Sequence, residues 1–189
     1  MRRLKFTDII VTIMIGVIFG IIMKLWDDLY RVVKPIFPVA RQLIYGMWFM
    51  VAPFAYLLIR KPGVALLSSV AAAGLSAVIG DGFQVLMYGF VQGLAAELLF
   101  AGFRYRNFGI IVAGFAGIAS LLGGFLLDWY YGYAELEVWA ITVKYGIRAI
   151  SAFIFTGVFA YLIVRALEAT GVTNLIRPID DDEYDELAK

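Results

Sequence analysis

The sequence predicts an all-α integral membrane protein, a bundle of six transmembrane helices whose amino and carboxyl termini are both cytoplasmic. Its 189 residues are 62% hydrophobic and 16% charged, whereas an ordinary soluble domain is roughly 45–50% apolar. The mean hydropathy is +0.86. The apolar residues gather into stretches of about 20, the length at which a helix crosses the hydrocarbon core. Lysine and arginine are denser on alternate connections, and that bias orients such a bundle.

Six stretches carry the pattern: Asp8–Leu25, Leu43–Ile59, Val64–Gly80, Phe83–Phe103, Phe108–Tyr130 and Val143–Leu167. The first follows a basic start that resembles a signal sequence. Its apolar run is too long for one and no small-x-small cleavage site follows, so it is predicted to remain as the first membrane helix. Gly80-Asp81-Gly82 and Arg104 to Asn107 are turns short enough to make the third, fourth and fifth helices antiparallel neighbours. Arg2, Arg3 and Lys5, then Arg60 and Lys61, then Arg104 and Arg106, then Arg165 and Arg177 mark the ends predicted to be cytoplasmic. The connection from Lys24 to Gln42 breaks the pattern with Lys24, Arg31, Lys34 and Arg41, although Asp27 and Asp28 lie beside them. Trp26, Tyr30, Pro35 and Pro38 make that connection too apolar for a solvated tether, and it is expected to fold back onto the bundle. Residues 1–176 form the membrane domain, and 177–189 form a solvated acidic tail.

The chain has no cysteine and no histidine. Disulfides, thiolate metal sites and every histidine-based acid, base or ligand scheme are therefore excluded. Asp81 and Asp128 are the only two aspartates available as an intramembrane catalytic pair, and both fall at outer helix ends without the flanking pattern such enzymes carry. With no phosphate-binding loop either, the sequence reads as a non-enzyme without resident cofactor, metal or nucleic-acid partner.

Glu97 stands well inside the fourth apolar stretch. An ionisable residue there faces a bundle interior or a cavity and by default marks a ligand, ion or proton site. Gly89, Gly93 and Glu97 recur every four residues and form one helical stripe. This is either a slot for a flat ligand anchored by the acid, or a close helix approach with Glu97 paired internally. Tyr88 and Gln92 share another face, and Gln92 lies about 140° around the helix from Glu97, so a common pocket would have to wrap the helix. The outer loop from Asp128 through Trp129 and Tyr133 to Trp139 is dense in aromatics and acids. Tryptophan and tyrosine collect at membrane interfaces anyway, but the added carboxylates suit an organic cation. Trp48, Tyr88, Trp129, Tyr133, Trp139 and Tyr145 are the aromatics expected to include at least two that stack on a ligand. Lys144, Arg148 and Ser151 share a stripe of the sixth helix. Lys144 is expected to snorkel, whereas Arg148 lies deeper and can meet Glu97, Asp128 or a ligand.

Two stripes of small residues remain. Thr12, Gly16 and Gly20 on the first helix are expected to dock a partner helix, with packing inside the bundle as the alternative. Ala116, Ser120 and Gly124 on the fifth are expected to pack within the bundle, ending in Asp128 at the outer rim.

Six helices with both ends inside, the small-residue stripe, the long first outer loop and the buried acid resemble the substrate-capture (S) components of energy-coupling factor (ECF) transporters. Gln92-Gly93-Leu94-Ala95-Ala96-Glu97-Leu98-Leu99-Phe100, the Gly80-Asp81-Gly82 turn and the Asp128-Trp129-Tyr130 edge are similar to the YkoE family of thiamine-type S components. The resemblance implies a prokaryotic plasma-membrane protein that captures thiamine, or its hydroxymethylpyrimidine moiety, near the extracellular face. It implies as partners a transmembrane coupling subunit and two cytoplasmic ATPase subunits. A carboxylate such as Glu97 would hydrogen-bond the aminopyrimidine edge, Gln92 would complete that contact, and aromatics would stack on the rings. Two other classes stay open: a membrane scaffold with Glu97 paired internally, and a small secondary transporter using Glu97 as proton carrier.

Overall fold

The computed structural model describes residues 4–36, 40–132 and 137–175. Among them there is no strand. The helices are α1 (Phe6–Ile36), a 3-10 segment (Ala40–Phe49), α2 (Val51–Ile59), α3 (Val64–Ser76), α4 (Gln84–Gly102), α5 (Ile110–Tyr130), α6 (Val138–Phe153) and α7 (Ala160–Ala169). A π-helical turn, Ala77–Asp81, extends α3, and a π-helical stretch, Ile154–Phe159, joins α6 to α7. Five of these helical runs are long and apolar enough to cross a membrane, and the 3-10 segment with α2, bent by 43°, brings the number to six when the bent pair is taken as one span. The acidic tail and Tyr133 lie outside the described residues.

Several boundaries differ from expectation: α6 already starts at Val138 rather than Val143, so Trp139 lies on its first turn. α1 does not stop at Leu25 but continues to Ile36, so Trp26 and Tyr30 sit on a helix rather than in a loop. Helical hydrogen bonding satisfies the backbone at low polarity, which is why an apolar connection prefers it to an irregular path. Trp26 does fold back on the bundle: its Nε1 donates to the Ile44 carbonyl at 2.9 Å, and its ring meets Phe155 edge-on at 5.8 Å. The second span breaks between Phe49 and Val51, and within its first half Gly46 passes close to α6, where a Cβ would stand 2.3 Å from the Ser151 carbonyl oxygen. Ser151 pins that crossing by accepting from the Gly46 N–H at 2.8 Å and donating to the Leu43 carbonyl at 2.6 Å.

The stripe expected to dock a partner faces inward instead. Thr12 is fully buried, and a Cβ on Gly16 would lie 2.5 Å from Ala71 Cβ and 2.7 Å from the Ser68 carbonyl oxygen. Gly20 also faces α3, a little less tightly, with a Cβ 3.0 Å from the Ala72 carbonyl oxygen. Lipid offers no hydrophobic drive between helices, so the smallest residues go where backbones must touch, and here that contact is α1 on α3. The Ala116–Ser120–Gly124 stripe packs internally as expected: Ser120 Oγ donates to the Gln92 carbonyl at 2.9 Å, and Ala116 is fully buried.

Ion pairs gather the chain ends at one end of the bundle. Lys61 Nζ lies 2.6 Å from Asp8, and Arg60 lies 2.8 Å from Glu168. This amino-terminal end is filled by Tyr56, stacked 3.8 Å from Phe100 and 5.3 Å from Phe108. The opposite end, capped by the α3–α4 turn, is where the bundle opens.

Candidate functional site

At the α3–α4 end the helices enclose a cavity of about 560 Å³, within the size range of small-molecule sites. One wall is aromatic. Tyr30 from the extension of α1 meets Trp48 of the 3-10 segment edge-on at 5.0 Å, and Tyr45 lies 4.9 Å from Trp48. The opposite wall is smooth, made by Ser69, Ala72, Ala73 and Ser76 of α3. Gly89 lets α4 close against it, for a Cβ there would stand 2.3 Å from Ala73 Cβ. Tyr88 and Gln92 of α4 complete the lining, and three carboxylates face the space: Asp27, Asp81 and Asp128.

Asp128 is held in place from α4 and α6. The Tyr88 hydroxyl donates to Oδ1 at 2.7 Å, the Tyr145 hydroxyl donates to Oδ2, and an Arg148 guanidinium nitrogen stands 3.6 Å from Oδ2. Arg148 itself is buried, with its guanidinium stacked 3.5 Å over the Tyr45 ring and its Nε donating to Gln42 at 2.7 Å. A buried cation so arranged fixes both the carboxylate and the aromatic wall. Nearer the mouth, Asp27 pairs with Arg31 at 2.7 Å, and Lys24 pairs with Asp81.

Of the residues read from sequence, Trp48, Tyr88, Gln92 and Asp128 line this cavity, while Tyr145 and Arg148 support it from behind. The others are elsewhere. Trp129 and Trp139 point outward, with Trp139 donating to the Glu137 carboxylate, and Ser151 serves the helix crossing.

Glu97 is the principal correction. Its Oε1 accepts from the Gly63 N–H at 2.6 Å and the Tyr105 hydroxyl at 2.8 Å, and its Oε2 accepts from the Ala65 and Leu66 N–H groups at 3.0 and 3.2 Å. These are the orphan donors at the start of α3, where a helix dipole also favours negative charge. The acid therefore caps α3 at the amino-terminal end and does not line the cavity. Gly93 serves the same contact, since a Cβ there would meet Ser69 Cβ at 2.6 Å. Arg104 and Tyr105 adopt φ of 55° and 54°, a left-handed conformation that disfavours side chains, and Tyr105 reaches the carboxylate from there. Burial, then its bond to Glu97, pushes the Tyr105 phenol up to about 12, so it remains a donor at physiological pH.

Sequence reasoning missed Met23, Asp27, Tyr30, Arg31, Tyr45 and Asp81 as lining. For three of these a signal existed: Met23, Asp27 and Tyr30 are spaced four and three apart, one face of a helix once α1 is allowed to run on.

Comparison with known proteins agrees with this architecture. The family model described as "ABC-type cobalt transport system, permease component" matches residues 7–123. A Bacillus subtilis (strain 168) protein whose name assigns it as an HMP/thiamine permease, YkoE, is 33% identical over 178 residues, spanning 92% of this chain and 89% of that one. A crystal structure described as an S-component of an ECF transporter matches with a TM-score of 0.85 at 32% identity, covering 91% of this chain and 89% of the other. Its apolar spans accordingly make it a multi-pass protein of the prokaryotic plasma membrane. The chain belongs to the YkoE family of S components, the substrate-binding membrane subunits of ECF transporters.

Proposed function

We propose that this S component captures thiamine, or its hydroxymethylpyrimidine moiety, in the cavity at the α3–α4 end. It then delivers the cargo for ATP-driven uptake with a transmembrane coupling subunit and two ATPase subunits. The observation that carries the reading is an aromatic wall of Tyr30, Tyr45 and Trp48 facing the same space as three carboxylates. Aromatic faces and carboxylates together suit a flat organic cation, and thiamine is one. The aminopyrimidine edge needs an acceptor and a donor, and Asp128 beside the Gln92 amide supplies both types. In this reading the polar anchor is Asp128, while Glu97 serves the fold. Neither cysteine nor histidine occurs in the chain, and no group of three acidic side chains suited to a metal ion occurs among the described residues. An organic cargo therefore suits these residues better than cobalt.

Lys5, Arg60, Lys61, Arg104, Arg106 and Arg165 cluster at the amino-terminal end, which supports a cytoplasmic location there and an extracellular mouth for the cavity. The name of the Bacillus relative supports the cargo class. Titration of detergent-solubilised protein with labelled thiamine and with hydroxymethylpyrimidine tests the reading. Saturable binding with quenching of tryptophan fluorescence, lost in Trp48→Ala, is the expected result. No saturable binding of either compound would refute it.

A further inference from the structure

Resting on that reading, we propose that Lys24 is a specificity-determining residue: a built-in counter-ion to Asp81 that limits how strongly the cavity prefers a cationic cargo over a neutral one. Asp81 lines the cavity, whereas Lys24 does not. The two are nonetheless paired, α1 to the α3–α4 turn, with side chains 27% and 23% exposed. The neighbouring acid on α1, Asp27, already faces Arg31 at 2.7 Å, and Asp128 is held by Arg148 and two phenols. Each of the three carboxylates therefore meets the cavity with its charge offset by a cation, and the Lys24–Asp81 pair is intermediate in exposure between Arg31–Asp27 and the buried Arg148–Asp128.

The turn bearing Asp81 is able to yield. Gly80 and Gly82 flank it with φ of 120° and 81°, and neither has a neighbour within 4 Å of an added Cβ. A lysine is a compact, strongly hydrated point charge on a flexible stem, so it exchanges partners more readily than the stacked Arg148. A cationic ring entering the mouth competes with the Lys24 ammonium for Asp81, whereas an uncharged ring does not. Neutralising Lys24 would leave Asp81 open to the cationic cargo alone.

The test compares wild type, Lys24→Met and Asp81→Asn, full-length in lipid nanodiscs, with thiamine as the cationic probe and hydroxymethylpyrimidine as the neutral one. Lys24→Met is expected to tighten thiamine binding about three- to tenfold at low ionic strength and to lose most of that gain in high salt. Its affinity for the pyrimidine should stay within about twofold, and Asp81→Asn should weaken thiamine selectively. If both ligands shift by the same factor, the pair is a latch on the mouth, and the proposal is wrong. An unchanged ratio in Lys24→Met would overturn it equally, while leaving the cargo reading intact. Wild type binding neither probe would overturn the cargo reading, and this inference with it.

Discussion

Two carboxylates of this bundle, Glu97 buried and Asp128 half-buried, look alike in the sequence and do different things. Glu97, at the amino-terminal end, takes three of its four hydrogen bonds from backbone N–H groups that open α3. Asp128, at the α3–α4 end, takes its contacts from the side chains of Tyr88, Tyr145 and Arg148 and stands beside a cavity. Backbone donors are fixed by the helix start they belong to and, if released inside the bundle, are left without a partner. Side-chain donors can turn towards a ligand and back. A carboxylate inside a membrane protein is thus a reason to look for a ligand site, and the nature of its donors decides whether one is there.

The comparison breaks most visibly at Glu97. Glu97→Leu strands the first N–H groups of α3 and the Tyr105 hydroxyl, and should cost roughly 3–5 kcal/mol of stability. The thiamine affinity of the protein that still folds should stay within about twofold. Thermal unfolding in detergent alongside a binding titration measures both, and a normal melting temperature with lost binding would reverse the roles assigned to the two acids. Glu97→Gln, which keeps one acceptor oxygen, should fall between.

At Asp128 the effects should exchange places. Asp128→Asn removes the charge facing the cavity and should weaken thiamine binding about 10–100-fold, or roughly 1.4–2.7 kcal/mol. Its melting temperature should drop less than that of Glu97→Leu, because Arg148 retains Gln42 and the Tyr45 face. Isothermal titration beside the same melting experiment would expose an Asp128 that matters only to the fold.

The smallest effect concerns Gly124. A methyl group there would meet the Gln92 amide nitrogen at 2.9 Å, the far end of a flexible side chain that can move aside. Gly124→Ala should leave stability within about 1 kcal/mol and change cargo affinity a few-fold by displacing Gln92. By contrast, Gly16→Ala, which would press on α3 backbone, should destabilise the fold and leave the cavity's selectivity alone. Equal outcomes for the two glycines would show that neither end is specialised.

Membrane embedding and the approximate spans were legible from sequence, because hydropathy is a property of each segment taken alone. Helical spacing likewise brought out Tyr88, Gln92 and the stripe ending in Asp128, since periodicity states which side chains share a face. It does not state what that face looks at. Only the packed structure decided that Gly16 and Gly20 turn towards α3, that Trp129 and Trp139 turn outward, and that α1 carries Tyr30 to the cavity wall. The assignment of Glu97 depended on the tertiary structure most of all, because its backbone donors lie 31 to 34 residues away in the chain, and a helix end satisfies its orphan N–H groups with whichever acceptor packing delivers.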